Sequence, residues 1–511
     1  LKDSAALRQK LRRLLGSADE VAFLRMIWTL NALQTGRADV ARRFLGPIPS
    51  DAEIEGILGP QAVYPWELET LVNEFLMESG GIYRTFNCRN WNEIGQLVNL
   101  LRSLENAEYG SFRNNESVFV EMGRIGARQF PWQRGFVSKS SLYRSSFIFG
   151  QGECAAFMED VAGLSAQEMT LVGFALLSVF YPEPAIRPAI DLDLIHTFGI
   201  DLNNLTRTLA RIACPLNTAR ERARLKRTDH GPTAYQPSVL REFPCILIGH
   251  RSRSMIAPLP DLIMDRVTNG LFYDVVGGGR AVREETGRRF EAYSLELLRR
   301  MLPTVSFAPE TRYLTRLGEI ASPDIQMTND RGEVLLSIEC KASRMSIKAQ
   351  FGDLPEEDRG YEEIAKGVMQ LWRFHAHARA KTAPMRLTTD VQLMVLTLDE
   401  WFAGRSKIIP KVIARAHALA DASPHLIPAE DRRAVGFCTI SELEEVLTTA
   451  TAESLQGAVR IASGDKAGWM FSKLHQDMEA QKTGPKDFPF EEALSELLPW
   501  FGKVRELGDG D

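Results

Sequence analysis

The feature that most constrains the fold of this chain is a strand, turn, strand pattern between Ser322 and Lys341, with Asp324 before the turn and Glu339 and Lys341 after it. Val334 to Lys341 alternates as a strand should, with Val334, Leu336, Ile338 and Cys340 on one face and Leu335, Ser337, Glu339 and Lys341 on the other. Asn329 to Gly332 is turn chemistry, so Ile325 to Met327 and Val334 to Lys341 are expected to pair as a hairpin. A two-residue turn at Arg331 and Gly332 sets Asp324 directly opposite Glu339, and a four-residue turn offsets them diagonally on the same face. Either register leaves their β-carbons roughly 5 to 8 Å apart.

Two carboxylates and an ammonium on one face are what metal-assisted phosphodiester cleavage requires. The carboxylates hold a divalent cation against the phosphate, while the lysine orients water and offsets charge. Magnesium fits an all-oxygen site, and manganese would fit too. A second Pro-Asp pair, Pro260 and Asp261, has no acidic-x-lysine triplet at hairpin distance after it.

The flanks extend the pattern. Gly287 to Leu302 reads as an amphipathic helix with Phe290, Leu297 and Met301 inward and Glu291 at the edge of that face. Val305 to Leu314 reads as a first strand, Tyr361 to Ala380 as a second helix, and Val391 to Leu398 as an apolar strand. On the second helix Lys366, Gln370, Arg373 and His377 share one face, opposite Ile364, Val368 and Leu371. That polar face could meet a phosphate backbone.

Ser-Pro-Asp-Ile at 322 to 325, Ile-Glu-Cys-Lys at 338 to 341 and these flanks resemble the PD-(D/E)XK, or restriction-endonuclease-like, nuclease superfamily. Its core is a helix, three antiparallel strands, a helix and a further strand. The resemblance covers about Arg283 to Trp401 and implies that Asp324 and Glu339 bind metal, that Glu291 completes the metal shell, and that Lys341 positions the nucleophile. Gln370 matches a glutamine of the exonuclease-like branches. The implied activity is magnesium-dependent hydrolysis of DNA, as a DNA endonuclease of restriction or anti-phage defence. Two alternatives stay open: an end-trimming exonuclease or RNase working beside a partner, and a non-catalytic protein that keeps the fold as a scaffold.

The expected fold class is α+β, a helical N-terminal domain followed by an α/β restriction-endonuclease-like core with a mixed sheet flanked by helices. Residues 1 to 235 read as a helical recognition or regulatory domain, 236 to 282 as a connecting hairpin and hinge, 283 to 450 as the core, and 451 to 511 as a helical extension ending in an acidic tail. Ser17 with Glu20, Asn90 with Glu93, Ser165 with Glu168 and Ser441 with Glu444 have the spacing of helix N-caps, and Pro65 opens a helix to Met77. Phe243 to Ile248 and Ser254 to Ala257 read as a hairpin around His250 and Arg251. Gly277, Gly278 and Gly279 read as a hinge, because no lysine-serine or lysine-threonine pair follows as a nucleotide loop needs.

The whole chain sets bounds. At 511 residues and 44% apolar content it has ample core for two or three domains. Its longest apolar run, Met169 to Tyr181, is too short for a membrane span of about 20 residues and suits a buried helix. No N-terminal segment reads as a signal peptide. Six cysteines without a CxxC pair argue against zinc, iron-sulfur and disulfide scaffolds and for a reducing cytoplasm. A net charge of −5 leaves nucleic-acid binding to local patches, of which Arg220, Arg222, Arg224, Lys226 and Arg227 form the candidate in the helical region. That region is also the expected site for a protein partner, and double-strand cleavage would favour a homo-oligomer. His375 and His377 do not face each other on a helix, so they read as ordinary histidines.

Overall fold

A computed structural model of the protein describes residues 2–53, 58–78, 84–109, 115–187, 199–228, 231–249, 254–352, 358–402, 405–478 and 482–508. The fold is mixed α+β, and the chain divides into two compact units. The first comprises Leu1–Arg113, Arg128–Gly277 and Ser495–Asp511, and the second Asn114–Ala127 and Gly278–Leu494. The boundary falls within the glycine triplet.

The first unit is helical where its capping residues say it should be. Pro65–Met77 begins at its proline. Trp91–Tyr109 is capped by Asn90, whose Oδ1 accepts from the amides of Asn92 and Glu93 at 3.0 and 3.2 Å. Ala166–Phe180 carries a reciprocal box between Ser165 and Glu168. The helix Glu20–Gln34 differs from expectation, because its N-cap is Asp19, which accepts from Ala22 N at 2.9 Å. Ser17 Oγ donates to Leu14 O instead.

This unit also contains a four-stranded sheet, of which only the two hairpin strands were expected. Its strands are β1 (Ala185–Ile186), β2 (Ala213–Pro215), β3 (Cys245–Ile248) and β4 (Ser254–Ile256), ordered β1-β4-β3-β2. β3 and β4 pair antiparallel as expected, and the turn at His250 and Arg251 lies outside the described residues. β3 also pairs in parallel with β2, so Cys245, Ile246, Met255 and Ile256 are buried. Residues 236 to 277 therefore complete the first unit's core and are not a separate connection. No single helix among the described residues is long and apolar enough to cross a membrane.

The second unit holds a five-stranded mixed sheet of β5 (Ser306–Pro309), β8 (Ile325–Thr328), β9 (Glu333–Lys341), β10 (Arg386–Thr397) and β11 (Gly436–Thr439). The order is β11-β10-β9-β8-β5, antiparallel through β5, β8 and β9, then parallel through β9, β10 and β11. The parallel steps need crossovers, which the helices Arg359–Arg379 and Ile408–Asp421 supply. Ile364, Val368, Leu371 and Trp372 of the first crossover helix, with Val412 and Ala416 of the second, pack on Leu393 and Val395 of β10 and Phe437 of β11. The helix Gly279–Met301 precedes β5 and buries Phe290, Leu297 and Met301.

Three boundaries depart from expectation. The single strand over 305 to 314 ends at Pro309, and the chain turns into a separate two-stranded ribbon of β6 (Arg312–Thr315) and β7 (Gly318–Ala321). The segment after 450 is no free extension, since Ala452–Ala462 packs on β10 and β11 and only residues from Ser495 belong to the first unit. The helix after β11 is capped by Thr439, which accepts from Glu442 N at 3.2 Å, two residues before Ser441. Residues 509 to 511 of the acidic tail lie outside the described residues.

Candidate active site

The motif hairpin closes with neither of the two expected turns. Asn329 and Glu333 bracket a three-residue tip: Asn329 N donates to Glu333 O at 3.0 Å, and Asn329 Oδ1 accepts from the amides of Arg331 and Glu333. Gly332 takes a positive φ of 71° there, which a side chain would oppose. Thr328 pairs with Val334, but the next pair is Met327 with Leu336, so Leu335 is the extra residue of a β-bulge. Past the bulge Gln326 pairs with Ser337 and Ile325 with Ile338, and one further step sets Asp324 opposite Glu339. Without the bulge the three-residue turn would put Ile338 there and turn Glu339 to the other face. Shared-face parity is thus restored by Leu335.

Hydrogen bonds then fix the group. Asp324 Oδ2 accepts from Cys340 N at 2.6 Å, which ties the aspartate to β9 just before β8 begins. Lys341 Nζ donates to Glu339 Oε1 at 2.8 Å and to Gln370 Oε1 at 3.2 Å. β9 is an interior strand, and Glu339 is 2% exposed. In the crossover helix, a Cβ at Gly367 would lie 2.7 Å from Lys341 Cε and 3.2 Å from Glu339 Cγ. The absence of a side chain at Gly367 is what lets the helix close over the pair.

The electrostatics are those of an undercompensated acidic cluster. Burial, then the charges of Glu339 and Glu291, push Asp324 up to about 8 against the pull of Cys340 N and Lys341. Burial, then Glu339 and Glu310, push Glu291 up to about 7, so it lies within the field of the motif. Burial also raises Glu339 despite Lys341. Burial alone would lower Lys341, but Glu339 and their hydrogen bond hold it above the usual ammonium range. Three carboxyl groups therefore share one close ammonium, and their titrations are coupled.

The remaining expected residues separate into those near this cluster and those far from it. Arg373 lowers the proton affinity of Glu339, and its Nε is buried without a hydrogen-bond partner. Lys366 lies on the same helix face, half exposed, and donates to Glu363 at 2.9 Å. His377 is buried against Tyr313, with Tyr313 Oη and His377 Nδ1 3.1 Å apart. Burial, then His425 and Arg373, push it down to about 4, so it is neutral near pH 7. His375 sits 3.1 Å from Asp431, a structural contact.

The basic run in the first unit is largely spent on internal pairs. In the helix Leu216–Lys226, Arg220 reaches Glu20 at 2.8 Å and Lys226 reaches Glu242, while Arg227, which caps it, reaches the fully buried Glu74 at 2.6 Å. Arg222 and Arg224 stay exposed. The expected five-residue phosphate patch is thus reduced to two. Asp261 opens the helix Asp261–Val267 in the first unit, whereas the motif strands belong to the second.

No protein-family model, no curated protein and no solved structure matches this chain. The site must be read from its own geometry.

Sequence reasoning missed Gly367, Glu310 and Leu335. A glycine inside an otherwise periodic helix is the signal that could have found Gly367, since it costs about 1 kcal/mol relative to alanine and needs a packing reason. Glu310 joins the field of Glu291 and Glu339 only because the chain turns at Pro309, and nothing local announces it. Among the described residues no three His, Cys, Asp or Glu side chains close around one point as they stand. The donor chemistry nonetheless fits a hard divalent cation: carboxylate oxygens, held partly buried, whose mutual repulsion a cation would relieve.

Proposed function

We propose that this protein is a divalent-metal-dependent nuclease that hydrolyses nucleic-acid phosphodiester bonds, with DNA as its substrate. The observation that carries the reading is the joining of Asp324, Glu339 and Lys341 on one face of the hairpin, inside the field of Glu291. The strand order around it, three antiparallel strands followed through a helix by a parallel one, supports the restriction-endonuclease-like assignment. Asp324 and Glu339 would hold magnesium or manganese, with Glu291 completing the shell. Bound there, the cation supplies Lewis-acid stabilisation of the phosphate and lowers the pKa of water.

The protein's own groups do the rest. Lys341 is kept protonated by Glu339 and held in place by Gln370 and by the space at Gly367, so its ammonium can orient water and offset charge building on the phosphate. Arg373, one helical turn beyond Gln370, adds positive charge on the same helix face. Cys340 N keeps the Asp324 carboxylate in one orientation.

The test is cleavage of supercoiled plasmid in magnesium by wild type and Lys341→Ala. Removing a transition-state donor of this kind is expected to cost about 10²- to 10³-fold, and equal nicking by both proteins would sink the mechanism. The Gln370 contact favours end-trimming as a second reading. Linearised plasmid degraded beside an intact closed circle would select it. A defence role rests on the pairing of a helical unit with a nuclease core, and a phage plating assay with wild type and Lys341→Ala tests it.

A further inference from the structure

The β6–β7 ribbon has no part in the proposed chemistry, yet it is rooted in the motif itself. Its base is closed by Ser322 N donating to Thr311 O at 2.9 Å and by Thr311 N donating to Ser322 Oγ at 3.0 Å. Ser322 lies two residues before Asp324, and Thr311 directly follows Glu310. A two-stranded ribbon is marginal alone in water, and this one is held by its inner face. Tyr313 and Ile320 pair across the ribbon and pack on Phe374, Ala378, Ala383, Met385 and Leu387.

The other face and the tip are open. Leu314 is 76% exposed and Leu317 61% exposed. Leaving two leucines in water forfeits roughly 1.5 to 3 kcal/mol each relative to burial, so the feature calls for an occupant. From Thr311 to Ala321 the charged side chains are Arg312, Arg316 and Glu319, and Arg312 pairs with Glu319 at 3.2 Å, which among the described residues leaves Arg316 as the unpaired charge beside the tip. Apolar groups with positive charge at a strand turn suit a polyanion with an apolar interior.

The crossover helix Arg359–Arg379 relates the ribbon to the chemistry. Lys341 touches Gln370 and Tyr313 touches His377, so the two contacts stand seven residues apart on one helix. At about 1.5 Å per residue that is about 10 Å, close to three base steps of about 3.4 Å. Beyond the packed Tyr313 the strand runs three residues to Arg316, about 10 Å, enough to reach into a groove about 8 Å deep.

We propose that the β6–β7 ribbon is a duplex probe. Its tip enters a groove of double-stranded DNA on the same side of the duplex as the scissile phosphate. There Leu314 and Leu317 press on the base stack, as apolar wedges do in bent duplexes, and Arg316 meets the backbone. This rests on the nuclease reading for its substrate class, while its test reads binding rather than cleavage.

The experiment measures anisotropy of a short synthetic DNA duplex carrying 2-aminopurine, with calcium replacing magnesium, for wild type, Leu314→Ser/Leu317→Ser and Arg316→Ala. Wild type is expected to bind and brighten the 2-aminopurine. The double variant is expected to bind about tenfold or more weakly without brightening, and Arg316→Ala to lower the salt slope by about 1. All three positions are exposed, so unchanged melting curves check the fold. Equal affinity and brightening in wild type and the double variant, or no duplex binding by wild type, would overturn the proposal. Magnesium cleavage by the same proteins separates the two readings. Wild type that binds and brightens but never cuts sinks the nuclease and keeps the ribbon, whereas cutting with ribbon variants that bind like wild type does the reverse.

Discussion

Each unit holds a group of buried carboxylates, and the two groups are treated in opposite ways. In the first unit Glu67, Glu69 and Glu74 each face a guanidinium. Glu69 is held bidentate by Arg241 at 2.7 and 2.9 Å and by Trp132 Nε1 at 2.9 Å, Glu74 faces Arg227, and Glu67 faces Arg102. Although burial pushes Glu69 up, Arg241 and the hydrogen bonds bring it below the usual carboxylate range. In the second, Asp324, Glu339 and Glu291 share one close lysine, and burial raises all three, with neighbouring carboxylates adding to the rise. Paired charge specifies a fold, whereas undercompensated charge costs stability and is retained where a ligand cation can use it.

Mutation should break this contrast in opposite directions. Arg241→Ala strips Glu69 and Asp265 of their partner and is expected to destabilise the protein by about 3–5 kcal/mol, read as a lower midpoint in chemical denaturation. Asp324→Asn removes an unwelcome charge and is expected to stabilise the metal-free protein at pH 8 by about 1–3 kcal/mol while abolishing cleavage. A midpoint lowered by Asp324→Asn would refute the reading of that cluster as stored repulsion.

Gly367→Ala probes the same site without touching a charge. Helix propensity favours the change by up to about 1 kcal/mol, but the new methyl displaces Lys341, so the rate of plasmid nicking is expected to fall about tenfold or more with little loss of stability. Unchanged nicking would show that Lys341 does not need its present position. Magnesium at about ten times its dissociation constant should raise the stability of wild type by about 1.4 kcal/mol and that of Asp324→Asn by less, as differential scanning fluorimetry would report.

The contrast can also be followed in pH. Asp324 holds its proton more tightly folded, with its value pushed up to about 8, than unfolded, at the ordinary 3.8. Its contribution is therefore fully favourable below pH 3.8 and is lost as pH rises through 8. The stability difference between Asp324→Asn and metal-free wild type should accordingly widen between these pH values and level off above 8. A constant difference across that window would mean that Asp324 is not raised by its surroundings.

Much of the candidate site was legible because its signals are local. Alternation in β9 put Glu339 and Lys341 on one face, the 3.6-residue period put Gln370 and Arg373 on another, and Lys341 and Gln370 meet at 3.2 Å. What was misread depended on partners distant in sequence. The residues of the basic run looked alike as a string, and only the placement of the buried Glu74 and the half-buried Glu20 and Glu242 turned Arg227, Arg220 and Lys226 into structural cations. The connecting hairpin looked separate until β2, thirty residues earlier, was paired with it.

By itself the sequence determined which residues could lie on a common face, because side-chain direction follows from backbone periodicity. Whether Asp324 and Glu339 actually share a face depended on a one-residue bulge at Leu335, which is set by how two strands settle against each other and not by either strand alone. The same holds for Gly367 over Lys341, for the field of Glu310, and for the exposure of Leu314. Periodicity is a property of neighbours along the chain, whereas register, close approach and burial arise only when distant segments pack.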